Sequence, residues 1–282
     1  MSEPVDGARA ASATRLPHPA LRSLVTTYHG YRYAGLEPGL HYGVPSTSLT
    51  VVLSFDRPIE VGALADAGRR WRHWSMTSGL GMSPAGIYHD GTMHGIQLDL
   101  TPVGARALFG VPAAALHDEL VGLGDVLGSR GPRLYDAVAT PPGWPRRFAA
   151  LDRELLAMAN ASDDRRGDDK TLRHAWQRLH ATRGMLPVAT LADEVGWSRR
   201  HLTQRFAGEY GIGPKQAARL VRFATARDLV VNRGAALADV AVRCGYADQA
   251  HLTREWRELA GVPPTAWLKQ EHPFLQERVA VL

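Results

Sequence analysis

Cysteine is almost missing from this chain. Of its 282 residues only Cys244 carries a thiol, which excludes an internal disulfide and a multi-cysteine zinc site. Lysine is scarce as well, at three of the 33 basic side chains. No apolar run reaches the length of a membrane-crossing helix. The N-terminal stretch "MSEPVDGARAASATRLPHP" lacks the apolar core of a secretory signal. Together these absences predict a cytoplasmic protein without a membrane partner. What remains, 45% hydrophobic and 22% charged residues, is the composition of a soluble globular chain with room for two domains.

The charge is divided unevenly. Residues 1–164 carry 14 basic against 16 acidic side chains, a net of −2; residues 165–282 carry 19 against 12, a net of +7. A basic C-terminal half points to a polyanionic partner, usually nucleic acid. A solvated basic face would give the same count, so the case must come from pattern.

The polar stretch "NASDDRRGDDK" (160–170) reads as a linker. Before it, "LTVVLSF" (49–55) is a β-rich apolar run. In "MHGIQLDL" (93–100), Ile96, Leu98 and Leu100 alternate with Gln97 and Asp99, as in a half-buried strand. Thr101-Pro102 looks like a helix cap followed by proline at the first helical position. Phe148, Leu151, Leu155 and Met158 share one helical face. The first domain is therefore expected to be α+β, a small curved sheet or barrel with strands early and helices late.

After the linker the strand signal disappears. Leu172, Trp176 and Leu179 mark an amphipathic helix that stops at Gly184. Thr190-Leu-Ala-Asp193 has capping-box spacing, which places a helix start at Thr190. Gly196 suits a left-handed helix terminus, and Ser198 can cap a following helix over 199–209. A short helix, a glycine-containing turn and a second helix make a helix-turn-helix. The chain then repeats itself. "GWSRRHLTQRFAGEYGIGP" (196–214) is echoed by "GYADQAHLTREWRELAGVPP" (245–264), with one extra residue in the second turn, where Asp248 stands as the cap. Leu191 matches Val240, Val195 matches Cys244, Leu202 matches Leu252, Phe206 matches Trp256 and Ile212 matches Val262. Cys244 is thus expected to be a small buried residue. Between the copies, Ala217, Leu220, Val221, Ala224 and Val231 recur at helical period. The predicted connecting helix of about 18 residues is roughly 27 Å long, close to the ~34 Å between successive major-groove faces of B-DNA.

These residues resemble the AraC/XylS family of bacterial transcription regulators over roughly Thr171–Gln270, most closely in "GYADQAHLTREWRELAGVPPTAW" (245–267). The resemblance implies an all-α domain of two helix-turn-helix units joined by a long helix, preceded by a domain that senses an effector or dimerises. The expected division is an effector-sensing or dimerisation domain over 1–160, a linker over 161–170, the DNA-binding domain over 171–270 and a tail over 271–282. Double-stranded DNA is the implied partner. A small-molecule effector, a second copy of the chain and, for an activator, RNA polymerase are further candidates. No cofactor, metal or catalytic residue is expected.

Arginine can bond guanine O6 and N7 in bidentate fashion, and glutamine can do the same to adenine N6 and N7. By position in the family motif, Arg200, Thr203 and Gln204 of the first unit and Gln249 and Arg254 of the second would contact bases. Ala250 departs from the pattern, because it could only touch a thymine methyl. Ser198, Arg199, His251 and Thr253 are placed for phosphates, which position a protein without specifying sequence. Arg205 is expected to be solvated. His201 and His251 recur, so a role in the fold, by capping or packing, stands beside the DNA reading.

Two other readings stay open. An enzyme would have to use His41, His89, His94 or Asp99, but these lack metal-ligand spacing, and no nucleophile elbow or phosphate loop occurs. An architectural DNA binder would need no pocket. The aromatics Tyr28, Tyr31, Tyr33, Tyr42, Trp71, Trp74 and Tyr88 could line an effector pocket or simply build the core.

Overall fold

Alternation along the strands sets the first layer. The computed structural model describes residues 9–64, 69–161 and 169–275. The described residues hold ten strands, the first nine before any α-helix: β1 (Arg9–Arg15), β2 (Val25–Ala34), β3 (Gly39–Gly43), β4 (Leu49–Ser54), β5 (Ile59–Ala63), β6 (Arg70–His73), β7 (Ser75–Ser78), β8 (Ala85–His89), β9 (Met93–Leu100) and β10 (Leu120–Gly122). They form a six-stranded sheet in the order β1-β2-β9-β4-β7-β10 and a four-stranded sheet in the order β3-β8-β5-β6. β9 lies between β2 and β4, with Leu98 opposite both Tyr28 and Val51 and Ile96 opposite Leu53. Ile96, Leu98 and Leu100 are buried as their alternation predicts.

Three short helices, α1 (Pro102–Gly104), α2 (Leu123–Leu127) and α3 (Arg130–Ala139), precede the long α4 (Trp144–Ala161). The Thr101 hydroxyl accepts from the Gly104 N–H at 3.0 Å, and Pro102 opens the turn, as expected. A π-helical turn over Ala105–Phe109 continues α1 and ends at Gly110, whose φ is 77°. Helix α4 lays Phe148, Leu151, Leu155 and Met158 on the core, each burial contributing about 2 kcal/mol before entropy. Its first residue, Trp144, lies so close to β2 that a Cβ at Gly30 would come within 2.5 Å of the indole. Asp152 is the polar anchor of α4. It accepts from the Tyr28 hydroxyl at 3.0 Å, from the His18 N–H at 2.9 Å and from Arg15 at 2.5 Å.

The aromatic question resolves residue by residue. Tyr28, Tyr31 and Tyr33 are core. Tyr42, Trp71 and Tyr88 are half-buried, and Trp74 is exposed.

The remaining elements are helical: α5 (Lys170–Ala181), α6 (Val188–Glu194), α7 (Arg199–Tyr210), α8 (Pro214–Arg233), α9 (Leu237–Arg243), α10 (Gln249–Ala260) and α11 (Pro264–Leu275). Residues 162–168 of the expected linker lie outside the described residues; on either side α4 ends at Ala161 and Asp169 caps α5. One boundary differs from expectation. α6 begins at Val188 rather than Thr190, because Pro187 is extended and its carbonyl accepts from the Leu191 N–H at 3.0 Å. Thr190 is an exposed residue inside the first turn. α8 begins at Pro214 and buries Ala217, Leu220 and Val221 as expected, while Ala224 and Val231 are half-buried.

Candidate nucleic-acid interface

Each unit is closed by the same local devices. In the first, α6 ends at Gly196 with φ +70°, and the Trp197 N–H reaches back to the Ala192 carbonyl at 2.9 Å. This backbone closure favours glycine because an L side chain resists a left-handed conformation. The Ser198 hydroxyl then accepts from the His201 N–H at 3.2 Å, starting α7. In the second, Gly245 has φ +70°, the Tyr246 N–H bonds the Ala241 carbonyl at 2.9 Å, and Asp248 accepts from the His251 N–H at 2.6 Å. The extra residue of this turn, Ala247, donates its N–H to His251 Nδ1 at 3.3 Å. Each repeated histidine also stands edge-on to its turn aromatic, at 4.6 Å for Trp197–His201 and 5.2 Å for Tyr246–His251. Both therefore serve the fold.

Beneath the turns, Leu191, Ala192, Leu202 and Phe206 are buried in the first unit, as are Val240, Ala241, Leu252 and Trp256 in the second. Cys244 is fully buried, and burial pushes its thiol above the usual range, so it is a packing residue. Phe223 of α8 meets Trp256 edge-on at 5.1 Å, so the connector is also the first helix of the second unit.

The outward faces are polar. Arg199, Arg200, Thr203 and Gln204 on α7 are exposed, as are Gln249, Ala250 and Arg254 on α10. Ser198 is exposed, while His251 and Thr253 are half-buried. The Thr203 hydroxyl donates to the Arg199 carbonyl at 2.8 Å, which leaves it an acceptor toward a partner. Arg205, expected to be solvated, is exposed but paired with Asp169 at 2.9 Å. Burial pushes the Asp169 carboxyl up, but Arg205 and the Leu172 and Thr171 amides outweigh it and hold it below the usual range.

Three buried or half-buried carboxylates were not foreseen. Glu255, equivalent in the repeat to Arg205, is buried on α10. It accepts from Arg219 and from the Tyr246 hydroxyl, both at 3.0 Å, with Arg222 4.0 Å away. Burial, aided by Glu255, pushes the Tyr246 hydroxyl well above its usual range. The signal was present: Glu255 lies three residues from Leu252 and one turn from Leu259, inside the apolar stripe. Glu209 on α7 makes a two-pronged pair with Arg106 of the N-terminal domain, at 3.0 and 2.6 Å. Glu271 on α11 is buried against β3, accepting from the Tyr42 N–H at 2.8 Å and pairing with His41, while Phe274 packs edge-on to Tyr33 at 5.2 Å. α11 runs through position 270, so both residues belong to a helix.

The N-terminal domain touches both units at equivalent places. Gly211 and Gly261, which close the two recognition helices at φ +81° and +79°, face His117 and the Leu64–Tyr42 region respectively. The histidines weighed for catalysis have structural partners: His41 pairs with Glu271, His94 with Asp56, and His89 Nδ1 accepts from the Gly91 N–H. Asp99 accepts from Gln97.

Two repeated helix-turn-helix units on one connector, each presenting a polar helix, define a double-unit DNA-binding protein. The comparisons agree. A helix-turn-helix domain family model matches residues 191–270. The fold is similar to that of ToxT from Vibrio cholerae, at 8% identity over 93% of this chain and 98% of that one, with a TM-score of 0.50. An apo lysine variant of ToxT gives 10% identity, 90% and 99% coverage and 0.52. ToxT with an unsaturated fatty acid bound gives 9%, 95% and 97%, and 0.50. No curated protein matches by sequence. Residues 191–270 thus carry a helix-turn-helix domain, and the chain as a whole shares the fold of ToxT. Among the described residues no helix is long and apolar enough to cross a membrane.

Proposed function

We propose that the chain regulates transcription by binding a specific DNA sequence, with α7 and α10 entering successive major grooves on one face of the duplex. The observation that carries this reading is the pair of exposed polar helix faces set on a single connector. α8 has 20 residues, about 30 Å at ~1.5 Å per residue, against ~34 Å per turn of DNA. Arg200, Gln204, Gln249 and Arg254 are assigned to base edges, with Thr203 accepting from a base amino group. Ser198, Arg199, His251 and Thr253 are assigned to phosphates.

Effector control is assigned to the N-terminal domain, whose residues reach both units. ToxT has been solved with an unsaturated fatty acid bound, which supports a small organic molecule as the controlling ligand here. The chain is not an enzyme in this reading.

The test is binding of purified full-length protein to the DNA upstream of its own gene, by mobility shift across a salt series. Sequence-selective binding that weakens with salt is expected. Equal affinity for scrambled DNA of the same length would overturn the proposal. The length of the footprint tells one bound chain from two.

A further inference from the structure

The N-terminal domain joins the two DNA-reading units by a second route, separate from α8. At the first unit, Arg106 holds Glu209, near the end of α7, through two hydrogen bonds at 3.0 and 2.6 Å. Two residues on, a Cβ at Gly211 would come within 2.5 Å of His117. His117 is itself fixed, its Nδ1–H donating to the Leu80 carbonyl at 2.7 Å.

At the second unit the contact falls on the free edge of a sheet. β3 is the outer strand of the four-stranded sheet and pairs only with β8. Two of its outward backbone groups are taken by neighbouring side chains of α11. Glu271 accepts from the Tyr42 N–H at 2.8 Å, and Gln270 donates to the Leu40 carbonyl at 3.1 Å. A further strand would use the same groups, so α11 caps the edge. Glu271 is 1% exposed and also pairs with His41, whose ring lies 4.5 Å from that of Phe274. A carboxylate this buried holds its partners, because stranding its charge is costly. α11 is fixed in turn to α10, since Trp267 meets Trp256 at 5.6 Å. Between the two contacts, the sheets pack on one another through Val52, Met76, Ile59 and Val61. The units are thus joined by two struts, α8 and the N-terminal sheets. A lone long helix curves, whereas a frame tied at both ends cannot bend without breaking a contact.

We propose that His41 and Glu271 are positioning residues for DNA recognition. By fixing α11 to β3 they set the distance and phase between α7 and α10, and so the half-site spacing that the chain accepts. This rests on the regulator reading and extends it to residues outside both recognition helices. One inserted base pair moves the second half-site by ~3.4 Å along the axis and by about a tenth of a turn around it. A free second unit follows that displacement by bending α8, and a braced one does not.

The test titrates full-length protein by fluorescence anisotropy against its upstream site, located by footprinting. The same site with one base pair inserted or removed between the half-sites, and the first unit's half-site alone, are measured beside it. Wild type should favour the native spacing by about tenfold, as for a mismatched base pair. His41→Ala and Glu271→Ala should each narrow that preference to about threefold or less, with affinity for the lone half-site unchanged. Glu271→Gln, which still accepts from the Tyr42 N–H, should fall between them and wild type. His41→Ala changes only the N-terminal domain, so relaxation there cannot come from an unfolded α11. The double variant should be no more permissive than Glu271→Ala alone. An unchanged preference in both alanine variants, or equal weakening at all three spacings, overturns the positioning role. Selective wild-type binding that is indifferent to spacing overturns it too and leaves the regulator reading standing. Wild-type binding without sequence selectivity removes both.

Discussion

Replacing Glu255 by alanine should loosen the second recognition helix without dissolving the first. Its side chain is 7% exposed and sits between Arg219, Arg222 and the Tyr246 hydroxyl. Removing one partner of a buried ion pair costs about 3–5 kcal/mol, because the remaining charge is stranded. Here the low end applies. Arg219 and Arg222 are each about a quarter exposed, and Arg219 keeps a second partner in Glu258 at 2.5 Å. A loss of about 3 kcal/mol corresponds to roughly two orders of magnitude in the opening equilibrium of α10. Glu258→Ala is the internal control. It removes a carboxylate from the same arginine, but that carboxylate is 65% exposed, and an exposed pair is worth about 0.5 kcal/mol. Hydrogen exchange of the α10 amides in full-length protein measures both variants, and footprinting should show contacts fading at the α10 end of the site first. Equal loss of protection in the two variants, or unchanged protection in Glu255→Ala, would refute the reasoning.

Other outcomes follow from named contacts. Gly211→Ala must adopt φ near +81° and brings a Cβ within 2.5 Å of His117; we expect about 1–3 kcal/mol of destabilisation in urea melts, with increased protease sensitivity between the domains. Arg254→Ala should relax selectivity at a single base pair, by about 1–3 kcal/mol, in a binding assay against a library of site variants; uniform weakening on all sequences would make it a phosphate contact. Burial, reinforced by His41 and opposed by Glu271, lowers the pKa of His89, and its Nδ1 accepts from Gly91. The folded chain thus binds fewer protons there than the unfolded chain as pH falls below about 6.5. The melting temperature should drop from pH 7.5 to 5, and His89→Asn should flatten that drop; an unchanged slope would show that His89 is not its source. Asp169→Ala removes the cap of α5 and the Arg205 pair, costing about 1–2 kcal/mol in thermal melts.

The DNA-binding half was legible because its determinants are local and doubled. Gly196 and Gly245 mark the turns, Ser198 and Asp248 the caps, and the apolar period marks each buried face. A motif present twice allowed each copy to check the other. Thr190 shows the limit of local rules: its spacing fits a cap, but Pro187, three residues upstream, had already begun the helix. The sheets were legible only as strands. Tyr28 pairs with Leu98 and Glu60 with Tyr88, and nothing near either residue names its partner. Glu209 and Glu271 look in sequence like ordinary surface acids, and Glu255 differs only in standing inside an apolar stripe. Their meaning lies in Arg106, Arg219 and His41, which only the fold brings to them.

The double duty of α8 has a mechanical side. One end packs beneath the first unit, where a Cβ at Gly184 would come within 2.2 Å of the Ala218 carbonyl, while the other end carries α9 and α10. A stiff rod of about 30 Å tilted by roughly ten degrees moves its far end about 5 Å, more than the ~3.4 Å rise of one base pair. A disturbance near Pro214 too small to unfold anything would thus put the second helix out of phase with its bases while the first stays seated. Selectivity for the spacing between half-sites is then a direct readout of how straight this one helix is held.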